Sequence, residues 1–446
     1  MKSSLIFCAL YTKIAFIFLL GQGMLVEFRV ANFRSIREEQ CLSFAASNDK
    51  SHEDTHRLET GRPGLSKLLR SAVIYGANAS GKSNMIFALM TMQQLVLNST
   101  RLLESQFREQ FTPFLLDSDS RQAPTQFEIT VVIGDLRYQY GFSFDVDRIQ
   151  SEWLLVYESS KAQRWFEYLY NPETRENDWQ PFSVHFKGEK KGQRELWKAN
   201  TSARSLFLTQ ASQSNSLQLQ PLFNWFANDL IVFPAQASFN LMPTLQRLDE
   251  PHYKEWVLRL MNAADIHISD IRVEKRKGPQ IEFRLEPGKP PEFQSFDGEM
   301  PVIEFGHKTS DGPLQWFDAR FESFGTLRLL GYAAPLLDAL ENGKLIVVDE
   351  FDTSLHPLLT RYILRMLHSP LLSTKGAQMW MTTHDTSLLD PHLLRRDQVW
   401  FVEKKKDQST ELYALMEFSP RKNEAIERGY LQGRYGAIPF LSDFLF

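Results

Sequence analysis

The chain has 446 residues, long enough for two or three domains or for one large domain carrying an insertion. Its 43% hydrophobic and 23% charged residues can fill a sizeable core and exclude a disordered chain. A net charge of -4 argues against a protein dominated by contacts to a phosphate backbone, and two cysteines, Cys8 and Cys41, are too few for a disulfide framework and wrongly placed for a zinc site.

The chain opens on Leu5 to Leu20, LIFCALYTKIAFIFLL, which is shorter than the roughly 20 apolar residues a membrane span requires and is interrupted by Lys13. Residues 1–23 are read as an extension ahead of the true initiator, Met24, with a membrane anchor as the alternative. From Met24 the sequence MLVEFRVANFRS alternates as a first strand and turns out at Phe33-Arg34-Ser35. Cys41 to Phe44 reads as an antiparallel strand, and His52 to Pro63 as a polar loop. Ser71 to Tyr75 is a short apolar run before a glycine loop, and Asn84 to Val96 follows as a helix with Met85, Leu89, Met92 and Val96 on one face.

Strands dominate Phe127 to Trp153, with a hairpin turn at Gly134-Asp135. Beyond it the pattern is mixed. Glu195 to Gln210 reads as helix, Leu222 to Phe233 as helix or buried run, Tyr253 to Asn262 as helix and Ile266 to Val273 as strand. Pro287 to Gly298 reads as a loop, and Lys275-Arg276-Lys277 and Lys404-Lys405-Lys406 as solvated turns. From Phe305 the α/β alternation returns, with helix over 324–341, strand over 344–349, helix over 357–368 and strand over 378–383. No heptad pattern is sustained, so no long coiled coil is expected.

Chemistry concentrates in four places. Gly76-Ala77-Asn78-Ala79-Ser80-Gly81-Lys82-Ser83 satisfies G-x-x-x-x-G-K-[ST] in full, between a strand and a helix. Such a loop turns backbone N–H groups onto phosphates; Lys82 reaches the β/γ-phosphates and Ser83 ligates Mg²⁺. An ATP-type motif with so few cysteines points to a reducing, cytoplasmic compartment. Leu345 to Glu350, LIVVDE, is a buried strand ending in acid, so Asp349 is expected on Mg²⁺ and Glu350 as the base that polarises water. Thr382-Thr383-His384 ends a further strand, where a histidine can sense the γ-phosphate. Glu322-Ser323-Phe324-Gly325-Thr326 precedes a helix and by itself reads equally as an ordinary N-cap.

Together NFRS (Asn32 to Ser35), GANASGKSN (Gly76 to Asn84), ESFGT, VVDEFDTSLHP (Val347 to Pro357), TTHD (Thr382 to Asp385) and YLQGRYGAIP (Tyr430 to Pro439) resemble the ABC-type ATPases of the SMC and RecF branch. Within that branch they are most similar to the AAA-family ATPases related to RloA, AbiLi and the OLD proteins of phage-defence loci. The resemblance covers about half of the chain, at its two ends.

It implies an α/β P-loop NTPase with an ABC-type head, a mixed central sheet with antiparallel N-terminal strands and an inserted α+β region. The head would comprise residues 24–153 and 301–446, and the insertion 154–300. ATP and Mg²⁺ would be sandwiched in a homodimer or higher oligomer, with Ser323 and Gly325 supplied across the seam and Asp352 to Leu355 lying at it. Arg34, Ser35 and Asn84 would lie beside the nucleotide, and Gln126 is one candidate for the glutamine-bearing loop. Phe324 departs from the family's first glycine. The implied function is an ATP-dependent dimerising switch in anti-phage defence, acting through a separate nuclease-like effector, since about sixty residues after His384 are too few for a nuclease domain. A RecF-like ATPase acting directly on DNA is the alternative, DNA or RNA binding is left open, and a transporter subunit survives only with a membrane-bound N-terminus. The bland reading of Gly433-Arg434-Tyr435-Gly436 is a segment docking on the head, with partner binding as its rival.

Overall fold

The computed structural model describes residues 23–439 except 63, 189, 236–240, 285–291 and 422–423. The N-terminal extension, Gly23 apart, lies outside the described residues, as do 287–291 of the expected loop. Strands β1 (Gly23–Ala31), β2 (Gln40–Ser43), β3 (Arg57–Arg62), β4 (Leu65–Leu69) and β5 (Ser71–Gly76) lead to helix α1 (Lys82–Asn98). Then come β6 (Thr125–Ile133), β7 (Leu136–Phe144), β8 (Ile149–Tyr157), β9 (Gln163–Asn171), β10 (Glu176–Trp179), α2 (Phe207–Gln213) and β11 (Leu230–Phe233). The middle holds α3 (Pro251–Ala263), β12 (Asp270–Arg284), β13 (Glu292–Lys308), β14 (Leu314–Asp318) and α4 (Phe324–Asn342). The chain finishes with β15 (Leu345–Val348), α5 (Pro357–His368), β16 (Gln378–Thr382), β17 (Val399–Lys404), β18 (Thr410–Ala414) and α6 (Ile426–Leu431).

Two compact units result: Met1–Gln236, Asp338–Thr353 and Thr360–Phe446 form the first, and Ala237–Leu337 with Ser354–Leu359 the second. The first unit contains a seven-stranded antiparallel sheet, β10-β9-β8-β7-β6-β1-β2, and a six-stranded sheet, β11-β15-β16-β5-β17-β18. In the second sheet all neighbours are parallel except β17 and β18. This is the expected mixed P-loop NTPase architecture. Strands β5, β15 and β16 are buried at every residue, which is why their sequences are unbroken apolar runs instead of alternating ones.

The two sheets share one core. Phe28 of β1 lies 6.0 Å from Trp380 of β16, while Leu89, Met92 and Val96 of α1 join the same cluster as Phe127, Phe142 and Phe144. Buried Gln378 stitches the sheets with polar bonds: its Oε1 accepts from Leu25 N at 2.6 Å and its Nε2 donates to Leu25 O and Leu69 O. A strand begins with such a side chain only where every buried donor and acceptor finds a partner.

Five segments differ from their expected local structure. Arg57–Arg62 of the expected loop is strand β3, paired with β4. Helix over 195–210 divides into Gln193–Ala199 and α2, and the run at 222–233 ends as β11, an edge strand of the nucleotide sheet. In the second unit, β12 and β13 pair continuously from Asp270↔Gly306 to Arg284↔Glu292. Lys275-Arg276-Lys277 and residues 292–298 are therefore strand, not turn and loop. Proline and glycine read as loop signals there, yet Gly298 and Pro301 stand in β13, opposite Gly278 and Lys275 of β12.

Candidate functional site

The site is built on strand ends. β5 delivers Gly76 to Ser83 at its C-terminal edge; β16, its neighbour, delivers His384; β15, next along, delivers Asp349 and Glu350. Because the three strands are parallel, all these residues emerge at the same edge. The loop is shaped for close backbone approach. Ala79 and Gly81 have φ of 60° and 111°, and a Cβ on Gly76 would meet Val402 O at 2.4 Å. Asn78 and Ala79 are exposed at its crown, whereas Ser80 is buried and its Oγ has no hydrogen-bond partner.

Lys82 folds back over this loop, its Nζ donating to Gly76 O at 2.8 Å and Ala77 O at 3.0 Å. Burial lowers its pKa to about 8, against the opposing pull of Asp349, Glu350 and Asp352. A nearly buried cation held only by carbonyl oxygens is a fit for an anionic phosphate. Asp349 is buried and accepts from Thr382 Oγ1 at 2.6 Å; the same hydroxyl accepts from Glu350 N at 2.8 Å. Thr382 thus fixes both carboxylate positions, and Glu350 sits at a left-handed φ of 48°. Among the described residues no three His, Cys, Asp or Glu side chains gather for a metal ion. Mg²⁺ takes few protein oxygens and completes its shell with phosphate and water, so Ser83 and Asp349 are the two oxygen donors that could hold it here.

His384 is exposed, and its backbone N donates to Asp352 Oδ1 at 3.2 Å. Desolvation first, then the charge of Lys82, lowers its pKa, against Asp352, Glu350 and Asp349. The imidazole is therefore neutral near pH 7 and can donate from one nitrogen and accept on the other.

Ser35 and Asn84 act as struts. Asn84 Nδ2 donates to Ser35 Oγ at 2.6 Å, Ser35 Oγ shares a 2.6 Å bond with Thr410 Oγ1, and Thr410 Oγ1 donates to Ser80 O. Gly81 fits the same corner, since a Cβ there would lie 2.1 Å from Thr410 Oγ1. Thr410 and Thr382 escaped sequence reasoning; Thr382 sits in the TTH motif, but nothing near Thr410 marks it. Arg34 stacks its guanidinium on Phe87 at 4.1 Å and, with Ser35, Thr112, Leu116, Lys404 and Gln408, lines a cavity of about 420 Å³. Thr112 Oγ1 is buried there without a partner.

Gln126 lies in β6, opposite Ala31 and Ser143. Ser323 and Gly325 belong to the second unit. Ser323 is exposed and caps α4, its Oγ accepting from Thr326 N at 3.1 Å. Gly325 meets Ser354 closely enough that a Cβ would stand 2.6 Å from Ser354 O, so glycine is sterically required at this position.

Comparison with known proteins gives a family for this chain. The family described as "AAA domain, putative AbiEii toxin, Type IV TA system" matches residues 71–390. No curated protein matches the sequence. Among solved structures, the SMC head domain from Thermotoga maritima is 12% identical, with a TM-score of 0.38 over 87% of this chain and 98% of that one. An Smc head domain with an extended coiled coil, bound to the C-terminal domain of ScpA and derived from Pyrococcus furiosus, is 12% identical, with a TM-score of 0.41 over 89% and 98%. Overlaps this loose carry no argument about function, and the fold class rests on strand order and direction. Among the described residues no helix is long and apolar enough to cross a membrane. With its P-loop, acidic strand end and intervening histidine strand inside the matched span, the chain belongs to this AAA-domain family of P-loop ATPases.

Proposed function

We propose that the chain is a Mg²⁺-dependent ATPase that works as a dimerising switch. The observation that carries the reading is the convergence of Lys82, Asp349, Glu350 and His384 on one sheet edge. ATP binds with its phosphates in the Gly76–Ser83 loop, where Lys82 exchanges its two carbonyl partners for phosphate oxygens. Ser83 and Asp349 would hold Mg²⁺, which would supply charge neutralisation on those oxygens. Glu350 accepts the proton of the attacking water, and neutral His384 contacts the γ-phosphate. The cavity beside Arg34 and Ser35 receives the nucleoside. Ser323 and Gly325, fixed against Ser354, complete the site of a second copy.

A P-loop ATPase whose family description names a toxin–antitoxin system supports a role in anti-phage defence through a separate effector. Glu350→Gln tests the switch. It is expected to retain ATP binding, to slow hydrolysis by at least about a hundredfold and to accumulate an ATP-dependent dimer in size-exclusion chromatography. Lys82→Ala is expected to stay monomeric with ATP. Normal turnover by Glu350→Gln would remove Glu350 as the base, and a monomer under all conditions would remove the switch.

A further inference from the structure

The C-terminal segment with the YLQGRYGAIP sequence has no part in the site just described, yet it lies directly behind it. Helix α6 places Glu427 so that its Oε1 accepts from Thr386 Oγ1 at 2.9 Å, two residues beyond His384. On the inner side, Tyr75, the residue before Gly76, donates its hydroxyl to Asp385 O at 3.2 Å. The Tyr75 ring lies 5.8 Å from Tyr430 of α6. Tyr430 and Tyr435 both stack on Phe401 of β17, at 5.3 and 5.8 Å.

The segment is itself fixed to the sheet. Tyr413 OH donates to Tyr435 O at 2.8 Å, Ala437 N donates to Glu403 Oε2 at 3.0 Å, and Tyr435 OH donates to Glu424 Oε1 at 2.6 Å. The 385–387 turn also holds itself locally, since Asp385 Oδ1 accepts from Ser387 N. What the local bonds do not set is where that turn sits relative to the phosphate loop. Bonds from distant residues set it: Thr360 Oγ1 to Asp385 Oδ2, Arg361 Nη1 to Ser387 O and His384 N to Asp352 Oδ1 from the α5 side, Tyr75 from inside and Glu427, the strap's own contribution, from outside.

We infer that residues 424–439 are a strap that positions His384, with Glu427 and Tyr75 as positioning residues acting through Thr386 and Asp385. This rests on the reading of His384 as a γ-phosphate contact. A fixed imidazole matters for turnover, where a small displacement weakens transition-state contacts more than ground-state binding. Phosphate binding by the loop needs no such placement.

The test uses the full chain with Glu427→Ala, Glu427→Gln, Tyr75→Phe and Thr386→Val. Glu427→Ala, Tyr75→Phe and Thr386→Val are expected to lower kcat for ATP about tenfold while KM stays within about twofold. Glu427→Gln, which keeps an acceptor oxygen, should restore most of kcat. The Glu427→Ala/Thr386→Val double variant should be no slower than either single. Hydrogen exchange of peptides spanning 383–388 should accelerate in the three slow variants and not in Glu427→Gln. Unchanged kcat and unchanged exchange would overturn the strap. Faster exchange with unchanged kcat would leave the strap as packing and refute its effect on His384. If the wild-type chain hydrolyses no ATP, the nucleotide reading fails, and exchange alone still decides whether the strap holds the turn.

Discussion

Lys82 shows how a single residue carries both the legible and the illegible parts of this site. The GKS signature announces its role, but not its state. With only carbonyl oxygens as partners and burial disfavouring its charge, its pKa falls to about 8 from the ordinary 10.5. The bound nucleotide needs the charged form and raises the pKa again. ATP affinity should therefore be constant below about pH 7.5 and weaken above pH 8, approaching tenfold per pH unit, with proton uptake on binding. Calorimetry in buffers of different ionisation enthalpy measures that uptake, and a binding curve flat to pH 9.5 would contradict it. Asp349, Glu350 and His384 were equally readable because each closes an apolar run. Thr382, Thr410 and the Tyr75 hydroxyl were not, because their partners lie far away in sequence and no local pattern encodes such a bond.

Elements were legible where local pattern and burial agreed. α1, α4, α5 and β15 fall within two or three residues of their expected positions, since strong periodicity or an unbroken apolar run marks each. β11 was obscured by the helical residues before it, and β13 by its Gly298 and Pro301 and by the proline-rich run ahead of it. The C-terminal glycines carry a different message. Gly433 and Gly436 adopt φ of 76° and 67°, and a Cβ on Gly436 would stand 2.6 Å from Glu403 Oε2 and from Tyr413 OH. They are the turn that lays Tyr435 and Ala437 on β17 and β18, in keeping with a docking segment. Gly436→Ala should cost about 2 kcal/mol, from the left-handed conformation and the crowding together. Urea unfolding measures the loss, and a cost below about 0.5 kcal/mol would mean that the segment is not seated there.

At the scale of the whole first unit, two buried clusters titrate in opposite directions. Glu152 is fully buried between β8 and α2, accepting from Phe207 N at 2.6 Å, Leu208 N at 2.9 Å and Tyr140 OH at 3.0 Å. Burial pushes its pKa up to about 7 from 4.5. The fold then favours the protonated acid, and this contribution is complete below pH 4.5 and lost as pH rises to 7. His56 and His368 stack at 3.7 Å beside His52, Arg70 and Arg395, with His56 Nε2 on Leu393 O and His368 Nε2 on Ser71 Oγ. Burial and those cations lower His56 to about 4 and His368 in the same direction. The fold favours the neutral rings, so their contribution is present above pH 6.5 and lost as pH falls toward 4. Between pH 4.5 and 6.5 the slopes oppose each other, each proton being worth about 1.4 kcal/mol per pH unit at most. Phe207 N and Leu208 N bond different carboxylate oxygens, so Glu152→Gln keeps an acceptor for only one of them and costs stability at every pH, but it does not titrate and so removes the falling slope. Its stability should therefore climb with pH more steeply than that of the wild type across this window. Urea midpoints at several pH values decide the matter. If the two proteins run parallel, Glu152 is ionised throughout, and its four donors, Tyr168 among them, outweigh its burial.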